Sequence, residues 1–325
     1  MRAYVTGATG FIGSRLARAL LDRGWDVTVL ARSPERAREL ADAGARIAIG
    51  DITDPASLAA SVPGHDALFH LAAWYAIGVR DAARMEQINV GGTLNVLDAA
   101  ASAAIPKIVY CSTIAALGSL PGGGISDESD EHQGSFGSNY ERTKLRAHQI
   151  AAERAASGAP IVTVMPGATY GAGDESMVGV LLKLYAKGLL VACPFQETGL
   201  SWTHVEDVAN GMVLAFENGE PGEGYILGGD NETIGGVFTR IRPFTGKRAP
   251  MRMPNWLVKA GIPFGPMIAR MLKQEPDLLK EGLTSLNGSW MYSSKKAEAG
   301  LGYRYRTIEE GIPPVVAAMR STPKG

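Results

Sequence analysis

Six short apolar runs alternate with helical patterns along the first 165 residues, and this rhythm constrains the fold more than any other feature of the chain. Parallel strands need long crossover connections, usually helices, so such alternation predicts a parallel sheet with helices on both faces. Right-handed crossovers make that sheet doubly wound, with a ligand crevice at the carboxyl ends of the strands. The predicted strands are 2–6, 26–31, 45–49, 66–71, 107–111 and 160–165, and the predicted helices are 11–23, 34–43, 55–61, 80–104 and 138–157.

The rhythm changes after residue 166. Glycine and proline become frequent, the helices predicted over 176–187 and 204–217 are separated by loops, and residues 243–292 have no clear strand pattern. No serine-, glycine- or charge-rich run marks a flexible linker at the boundary. The sequence therefore predicts an α/β fold class, with a smaller and more irregular part that packs over the crevice.

Composition and charge exclude several classes of partner. The chain has 32 Lys and Arg against 33 Asp and Glu, so we expect no global basic field for nucleic acid or for an anionic membrane. Two cysteines, Cys111 and Cys193, are too few for a disulfide framework, and no secretory pattern opens the chain, so a cytoplasmic location is expected. The most apolar stretch, 255–273, contains Pro263 and three cations; it is interpreted as a helical segment of the substrate region and not as a membrane span. No metal site is predicted.

A glycine pattern lies between the first predicted strand and the first predicted helix. Gly7 allows a tight turn, Gly10 lets backbone N–H groups approach a pyrophosphate, and Gly13 lets the helix pack close to the sheet. The helix N-terminus adds partial positive charge and free N–H donors. The loop therefore predicts a dinucleotide phosphate site, made by Gly7, Thr9, Gly10, Phe11, Ile12 and Gly13.

The end of the second strand decides which dinucleotide is preferred. Enzymes that use NAD usually have a carboxylate here for the ribose 2′-hydroxyl, but this chain has Arg32. A guanidinium suits a 2′-phosphate bidentately, so NADP(H) is favoured over NAD(H), and Arg36 can add to the same pocket. Asp51 and Ile52, after the third strand, are expected to contact the adenine of the dinucleotide.

Tyr140 and Lys144 lie four residues apart in a predicted helix, which places them on one face. A free tyrosine has a pKa of about 10, too high for acid–base work at neutral pH. A nearby ammonium group and an oxidised nicotinamide both favour the phenolate and lower that pKa. A second pair with this spacing, Tyr292 and Lys296, lies far down the irregular half and is interpreted as a surface feature.

Two hydroxyl residues follow the fifth predicted strand. Ser112 and Thr113 stand where the carboxyl end of the strand opens into the crevice. A hydroxyl there can donate to a carbonyl oxygen or to the alkoxide that forms from it. Both residues qualify sterically, so the sequence leaves the choice open.

Taken in order, these motifs resemble the extended short-chain dehydrogenases/reductases (the NAD-dependent epimerase/dehydratase superfamily), and within them the dihydroflavonol-reductase-like branch. The resemblance is strong over about residues 1–230 and loose beyond. It implies a dinucleotide-binding Rossmann domain over 1–165, with segments returning from the second half, a mixed substrate-binding part over 166–325, and a homodimer formed through the two long helices. The matching segments are TGATGFIG (6–13), DITD (51–54), HLAA (70–73), NVGGTLNVLDAA (89–100), YCSTIAALG (110–118), YERTK (140–144), MPGATYGAGD (165–174) and THVEDVANG (203–211).

The same resemblance implies a role for each site residue. Thr113 takes the place of the family's catalytic hydroxyl, with Ser112 just before it. Tyr140 donates the proton, and Lys144 tunes Tyr140 and binds the cofactor ribose. Asn89 holds backbone or water near the site. The remaining cofactor contacts are expected from Leu71, Ala72 and Ala73 on the phosphate–ribose side and from Pro166 and Gly167 near the nicotinamide.

Two observations separate a reductase from a nucleotide-sugar enzyme. Relatives that act on nucleotide sugars usually carry an arginine four residues before the histidine that matches His204, and this chain has Leu200. Pro166 is also typical of reductases. Other cations can compensate for the missing arginine. These are Arg240, Arg242, Lys247, Arg248 and Arg252.

The candidate substrate wall is apolar, which suits an aromatic or aliphatic carbonyl compound. The sequence therefore predicts NADPH-dependent, reversible reduction of an apolar aldehyde or ketone to the alcohol. The alternative is a nucleotide-sugar epimerase or dehydratase that reduces its cofactor transiently, and a remoter one is a non-catalytic NADP-sensing protein. The wall residues are Trp74, Tyr75, Ile77, Leu117, Tyr170, Met177, Leu181, Phe195, Trp202 and the stretch 251–271.

Overall fold

The computed structural model describes residues 1–120, 122–271, 277, 281, 284 and 288–321. Its strands are β1 (Arg2–Thr6), β2 (Asp26–Ala31), β3 (Arg46–Ile49), β4 (Ala67–His70), β5 (Ile108–Cys111), β6 (Ile161–Pro166), β7 (Ala168–Tyr170), β8 (Ala192–Cys193), β9 (Gly199–His204), β10 (Gly224–Leu227), β11 (Asp230–Thr233) and β12 (Met251–Arg252). Its helices are α1 (Phe11–Asp22), α2 (Arg38–Asp42), α3 (Pro55–Ser61), α4 (Ala82–Glu86), α5 (Gly92–Ser102), α6 (Asn139–Ala156), α7 (Met177–Ala186), α8 (Val205–Asn218), α9 (Ile234–Thr245), α10 (Asn255–Gly261), α11 (Gly265–Met271), α12 (Lys295–Leu301) and α13 (Ile308–Ser321).

Seven strands form one parallel sheet in the order β10-β6-β5-β4-β1-β2-β3. The strand order reverses between β1 and β4, and the crevice of such a sheet lies at this point. The doubly wound parallel fold predicted from the alternating pattern is confirmed. The last strand of the sheet, β10, comes from the second half of the chain and pairs with β6.

The central strands are mostly apolar because helices cover both of their faces. Every residue of β4, β5 and β6 is buried. On one face, side chains such as Phe69 and Val109 pack against Leu16 of α1 and Met212 of α8. On the other face, side chains of α3, α5 and α6 pack against Tyr4, Leu68 and Tyr110 among others.

One predicted helix is interrupted. The stretch predicted as a helix over 80–104 contains α4, a π-helical turn over Gln87–Gly91, and α5. Single π turns inside α-helices often lie at functional sites. This one carries Asn89, whose side chain is buried.

The smaller part has its own core, built around the three-stranded sheet β11-β9-β7 and the helices α7, α9 and α13. Tyr170 and Trp202 are buried in this core, and the Trp202 indole donates to the Glu232 carbonyl over 2.9 Å. Their placement in the substrate wall is therefore wrong, since the apolar pattern identifies buried residues without saying what they pack against. Among the described residues, no helix is long and apolar enough to cross a membrane.

Candidate active site

The turn after β1 is shaped for a close approach of backbone to a ligand. Gly7 has a φ of +75°, and a Cβ there would lie 2.6 Å from the Ala72 nitrogen. A Cβ on Gly13 would overlap the Gly7 carbonyl. Gly10 begins α1 without a side-chain cap, and the first turn of α1 has no acidic residue. The N–H groups and the positive end of the helix are thus left for an anion.

Arg32 directly follows β2 and is exposed. Within the described chain its guanidinium makes no hydrogen bond or ion pair. Arg36, in the turn over Pro34–Ala37, is exposed as well. The Arg32 guanidinium, at the end of β2, is therefore accessible to a phosphate.

The end of β3 is more constrained. One Asp51 carboxylate oxygen accepts from both the backbone N–H and the hydroxyl of Thr53, each over 2.9 Å. Ile52 is buried against Gly92, where a Cβ would clash with its side chain. The second Asp51 oxygen makes no hydrogen bond within the described chain, whereas Ile52 belongs to the packing of α5 on the sheet.

A buried histidine joins the strands that border the crevice. His70 Nδ1 lies 2.7 Å from the Thr6 hydroxyl, and its Nε2 lies 3.1 Å from the Thr93 hydroxyl. Burial, followed by the nearby Lys144 charge, lowers the pKa of His70 to about 3. The neutral ring ties β4 to β1 and α5, and it positions the Leu71, Ala72 and Ala73 backbone beside Gly7.

Ser112 and Thr113 have different surroundings. Ser112 is buried, and its hydroxyl lies 2.9 Å from His148 Nδ1. Thr113 is partly exposed; its hydroxyl caps the next turn by accepting from the Ala115 N–H over 3.2 Å, and it lies near enough to the Tyr140 phenol to oppose the rise in that group's pKa. Thr113 is thus the hydroxyl that stands next to Tyr140.

Tyr140 lies in the first turn of α6, and the Tyr75 ring packs against it edge-on with 4.9 Å between centroids. Burial raises the pKa of Tyr140 above that of a free phenol. The lowering of this pKa that was expected from Lys144 is not found. The Lys144 ammonium instead donates to the Cys111 carbonyl over 2.9 Å and lies 5.3 Å from the centre of the Tyr110 ring.

Asn89 uses its whole side-chain amide on the protein itself. Its oxygen accepts from the Trp74 N–H over 2.6 Å. Its amide nitrogen donates to the Trp74 carbonyl over 3.2 Å and to the Thr143 hydroxyl over 3.0 Å. Asn89 therefore holds the loop after β4 against α6, which makes it a positioning residue.

Pro166 and Gly167 lie at the carboxyl end of β6, beside β5. Pro166 pairs with Leu227 of β10. A Cβ on Gly167 would lie 2.4 Å from the Ser201 carbonyl, so glycine is required by close contact with β9. The parallel sheet thus brings the ends of β6, β5, β4, β1, β2 and β3, with nearly all predicted site residues, to one edge.

Sequence reasoning missed two polar groups on or beside α6. His148 continues the face of α6 that carries Tyr140 and Lys144, at spacings of four residues, and this spacing could have identified it. His132 and Glu141 form a buried pair 2.9 Å apart, and Glu141 also accepts from the Gly137 N–H over 2.7 Å. No spacing in the sequence signals that pair, because it joins a loop to a helix.

The interpretation of Tyr292 as a surface residue is wrong. Its side chain is fully buried, and its hydroxyl donates to the Gly118 carbonyl. Lys296 lies on the surface, where it pairs with Glu223 over 2.7 Å. Tyr292 therefore holds the loop that follows Thr113, whereas Lys296 takes no part in that contact.

An open cavity of about 390 Å³ lies in the smaller part. Two charged residues line it, Arg252 and Glu197, and they pair with each other over 2.7 Å. Arg240 is also occupied, by Glu309 over 2.7 Å and by Asp230 over 2.9 Å. Two of the candidate cations for a diphosphate are therefore committed to carboxylates of the protein.

Known proteins resemble the chain over nearly its whole length. It is 31% identical over 322 residues to a Synechocystis protein that carries the name dihydroflavonol 4-reductase, covering 96% of this chain and 93% of that one. It is 30% identical over 317 residues to a farnesyl-dihydroquinoline-oxide ketoreductase of Stigmatella aurantiaca, covering 96% and 95%. The crystal structure of gox2253 superposes with a TM-score of 0.81 at 33% identity, covering 98% and 97%.

A family model also matches residues 3–228, described as the NAD dependent epimerase/dehydratase family. This match spans the Rossmann sheet through β10, and with it the glycine loop and the Tyr140 helix. The resemblance to the extended short-chain dehydrogenases/reductases is confirmed: the chain belongs to the NAD dependent epimerase/dehydratase family.

Proposed function

We propose that the protein is an NADPH-dependent reductase that converts an apolar aldehyde or ketone to the alcohol, reversibly. The observation that carries this proposal is the position of the Tyr140 phenol. It stands beside the Thr113 hydroxyl at the carboxyl end of β5, two strands from the glycine loop after β1. A proton donor and a dinucleotide site thus share one edge of the sheet.

The residues present fit a nicotinamide dinucleotide. The open N-terminus of α1 suits a pyrophosphate, and Arg32 suits a 2′-phosphate. Leu71–Ala73 border the same turn, and Lys144 and Gly167 lie toward the reacting end. When bound, the reduced nicotinamide supplies a hydride to the carbonyl carbon.

The chain's own residues supply the proton and hold the oxygen. Burial raises the pKa of Tyr140, so the phenol stays protonated at neutral pH and can donate to the carbonyl oxygen. Thr113 adds a hydrogen bond to that oxygen as negative charge develops on it. Lys144 is held at the Cys111 carbonyl over 2.9 Å, on the same face of α6 as Tyr140, where it is placed to bind the cofactor ribose.

Several features favour an apolar substrate over a nucleotide sugar. Tyr75, in contact with Tyr140, is 52% exposed and offers an aromatic surface. Leu200 is buried and carries no charge, and Arg240 and Arg252 are paired with carboxylates. The Stigmatella relative is named for a farnesylated, ketone-containing substrate, which is consistent with an apolar carbonyl compound.

The family description favours a second candidate, an epimerase or dehydratase. Such an enzyme would use the same Tyr140 but regenerate its cofactor in place. Retention of the cofactor separates the two. A reductase exchanges it at every turnover, so loaded protein should lose it on a desalting column, whereas stoichiometric retention would favour the second candidate.

The decisive experiment follows NADPH oxidation by the purified protein with a panel of aliphatic and aromatic aldehydes and ketones. Turnover with at least one of them is expected. Tyr140→Phe should lower kcat by about 10²- to 10⁴-fold, since a general acid contributes about that much, while NADPH fluorescence shows unchanged binding. Tyr305→Phe, a matched loss of a hydroxyl away from the site, should leave kcat unchanged. Turnover retained in Tyr140→Phe would place the proton donor elsewhere.

A further inference from the structure

Residues 234–273, called here the basic segment, have an unusual charge distribution. They contain eight lysines and arginines and no aspartate or glutamate, which leaves 24 cations against 33 acids in the rest of the chain. The near-zero net charge of the whole chain conceals this separation of cations from acids. Lys273 lies outside the described residues.

The basic segment also exposes large apolar side chains. Trp256 is 66% exposed, Phe264 60% and Met271 79%. A single exposed leucine or methionine is ordinary, but seven large exposed apolar side chains within residues 244–271 favour a surface that binds a partner. These seven side chains, together with those of Leu189 and Val191, are called here the apolar face. The seven are Phe244, Met251, Trp256, Leu257, Phe264, Met267 and Met271.

Backbone and side-chain contacts join the two chain segments of this face. The Met251 N–H donates to the Val191 carbonyl over 2.8 Å, next to the pairing of β8 with β12. The Tyr185 hydroxyl lies 2.8 Å from that of Thr245 and ties α7 to the end of α9, which carries Phe244. Leu189 and Val191 are therefore neighbours of the basic segment.

Exposed cations lie among these apolar residues. Arg242, Arg248 and Arg270 are exposed, and Lys187 is exposed just before Leu189. None of the four side chains forms an ion pair within the described chain. Unpaired cations bordering a large apolar surface are the combination that binds anionic headgroups while apolar side chains enter the acyl boundary.

We propose that the apolar face docks on the surface of an anionic phospholipid bilayer. A second copy of the chain is disfavoured as the occupant, because a two-fold interface would bring two basic segments together with no acid in either to pair with the cations. Headgroup phosphates supply the missing charge. No helix of the described chain spans the bilayer, so the contact is peripheral.

The chain beyond α11 returns to the candidate active site. Asp277 pairs with Arg80 over 3.0 Å, and Glu281 accepts from the Gly78 N–H over 2.6 Å. Gly78 lies three residues after Tyr75, the ring in contact with Tyr140. Asp277 and Glu281 therefore contact the loop that carries Tyr75, but docking itself does not depend on the proposed reaction.

The test is co-sedimentation of the full chain with vesicles of phosphatidylglycerol and phosphatidylcholine, and with vesicles of phosphatidylcholine alone. Binding to the anionic vesicles that weakens as salt rises is expected. Phe264→Ser/Met267→Ser should weaken it more than about tenfold, since two apolar side chains would no longer enter the acyl boundary. Ile49→Ser/Ile125→Ser removes two apolar side chains that are equally exposed elsewhere and should bind like wild type.

A charge variant gives an independent readout. Arg242→Glu/Arg248→Glu should lose more than about tenfold of the anionic-vesicle binding, whereas Lys295→Glu/Arg304→Glu, with the same change in net charge, should lose much less. Both pairs are exposed, so folding is retained and is checked by circular dichroism. Equal binding to the two vesicle types, no binding to either, or equal losses in both charge variants would overturn the proposal. A wild-type dimer that becomes monomeric in Phe264→Ser/Met267→Ser, without vesicle binding, would identify a second copy as the occupant instead.

Discussion

The carboxyl edge of the parallel sheet and the basic segment differ in which side chains they bury. The edge buries polar groups, and the basic segment exposes apolar ones. At the sheet edge, polar groups are buried and paired: His70 lies between two threonine hydroxyls, and Lys144 is held at the Cys111 carbonyl. In the basic segment, Trp256 and Phe264 are exposed. The buried polar groups of the edge are therefore paired within the chain, whereas the basic segment leaves large apolar side chains exposed.

Chemistry and docking make opposite demands on a side chain. A reacting phenol needs a rigid position, which buried strands and a paired polar network supply. A surface contact needs the reverse, since side chains that are already buried have no apolar area left to give to a partner. Each prediction below tests one side of this contrast.

The largest effect is expected at the tightest part of the sheet edge. Gly7→Ala places a Cβ 2.6 Å from the Ala72 backbone and also at a φ of +75°. We expect a loss of more than about 3 kcal/mol in the free energy of unfolding, from strain and overpacking together, and loss of measurable NADPH binding. Calorimetry and fluorescence titration measure the two quantities.

Gly24→Ala is the matched control for that substitution. Gly24 has the same φ of +75°, but no atom lies within 4 Å of the added Cβ. The added Cβ then costs only the strain of a left-handed backbone, so the free energy of unfolding should fall by about 1–2 kcal/mol. NADPH binding should persist. Similar losses in both variants would show that backbone conformation, and not close approach to β4, accounts for the glycine.

The two regions also differ in how far the sequence could predict them. Gly7, Arg32 and Tyr140 were identifiable because each depends on a local feature of the chain. These features are a tight turn for Gly7, a strand end for Arg32 and a helical spacing for Tyr140. The choice between Ser112 and Thr113 was not, because it depends on His148, which reaches Ser112 only in the folded state. Periodicity likewise marked Tyr170 and Trp256 as apolar without showing that one is buried and the other exposed.

A smaller effect is expected at the outer end of the same edge. Arg32→Asp removes the guanidinium and adds a like charge to a 2′-phosphate, so the Kd for NADPH should rise by about 10- to 100-fold or more, since each charge-assisted hydrogen bond contributes about 1.5–3 kcal/mol. The Kd for NADH should change little. Arg304→Asp, an exposed cation on another segment, should leave both constants unchanged. Equal weakening of both cofactors by Arg32→Asp would contradict the assignment.

Acid should destabilise the sheet edge through His70. Its pKa is about 3 in the folded chain, below the ordinary 6.5, so the unfolded chain takes up the proton first as the pH falls. Stability is then lost progressively below about pH 6.5, by about 2 kcal/mol at pH 5. His148 and His204 also have lowered pKa values, about 4 each, so both proteins should lose stability between pH 7 and pH 5, but in urea unfolding the loss should be about 2 kcal/mol larger in wild type than in His70→Gln. Parallel pH profiles would mean that His70 is not held neutral.

The smallest effect is expected in the basic segment, where the contrast with a buried core is sharpest. Phe264 is 60% exposed, so Phe264→Ser should change the free energy of unfolding by no more than about 0.5 kcal/mol. Phe238 in α9 is fully buried. Its replacement by alanine should lower the free energy of unfolding by about 3–5 kcal/mol. Denaturant unfolding without lipid measures both. A loss above about 1 kcal/mol in Phe264→Ser would mean that this ring is packed against the chain itself, and the surface would then have no apolar side chain to spare for a bilayer at that position.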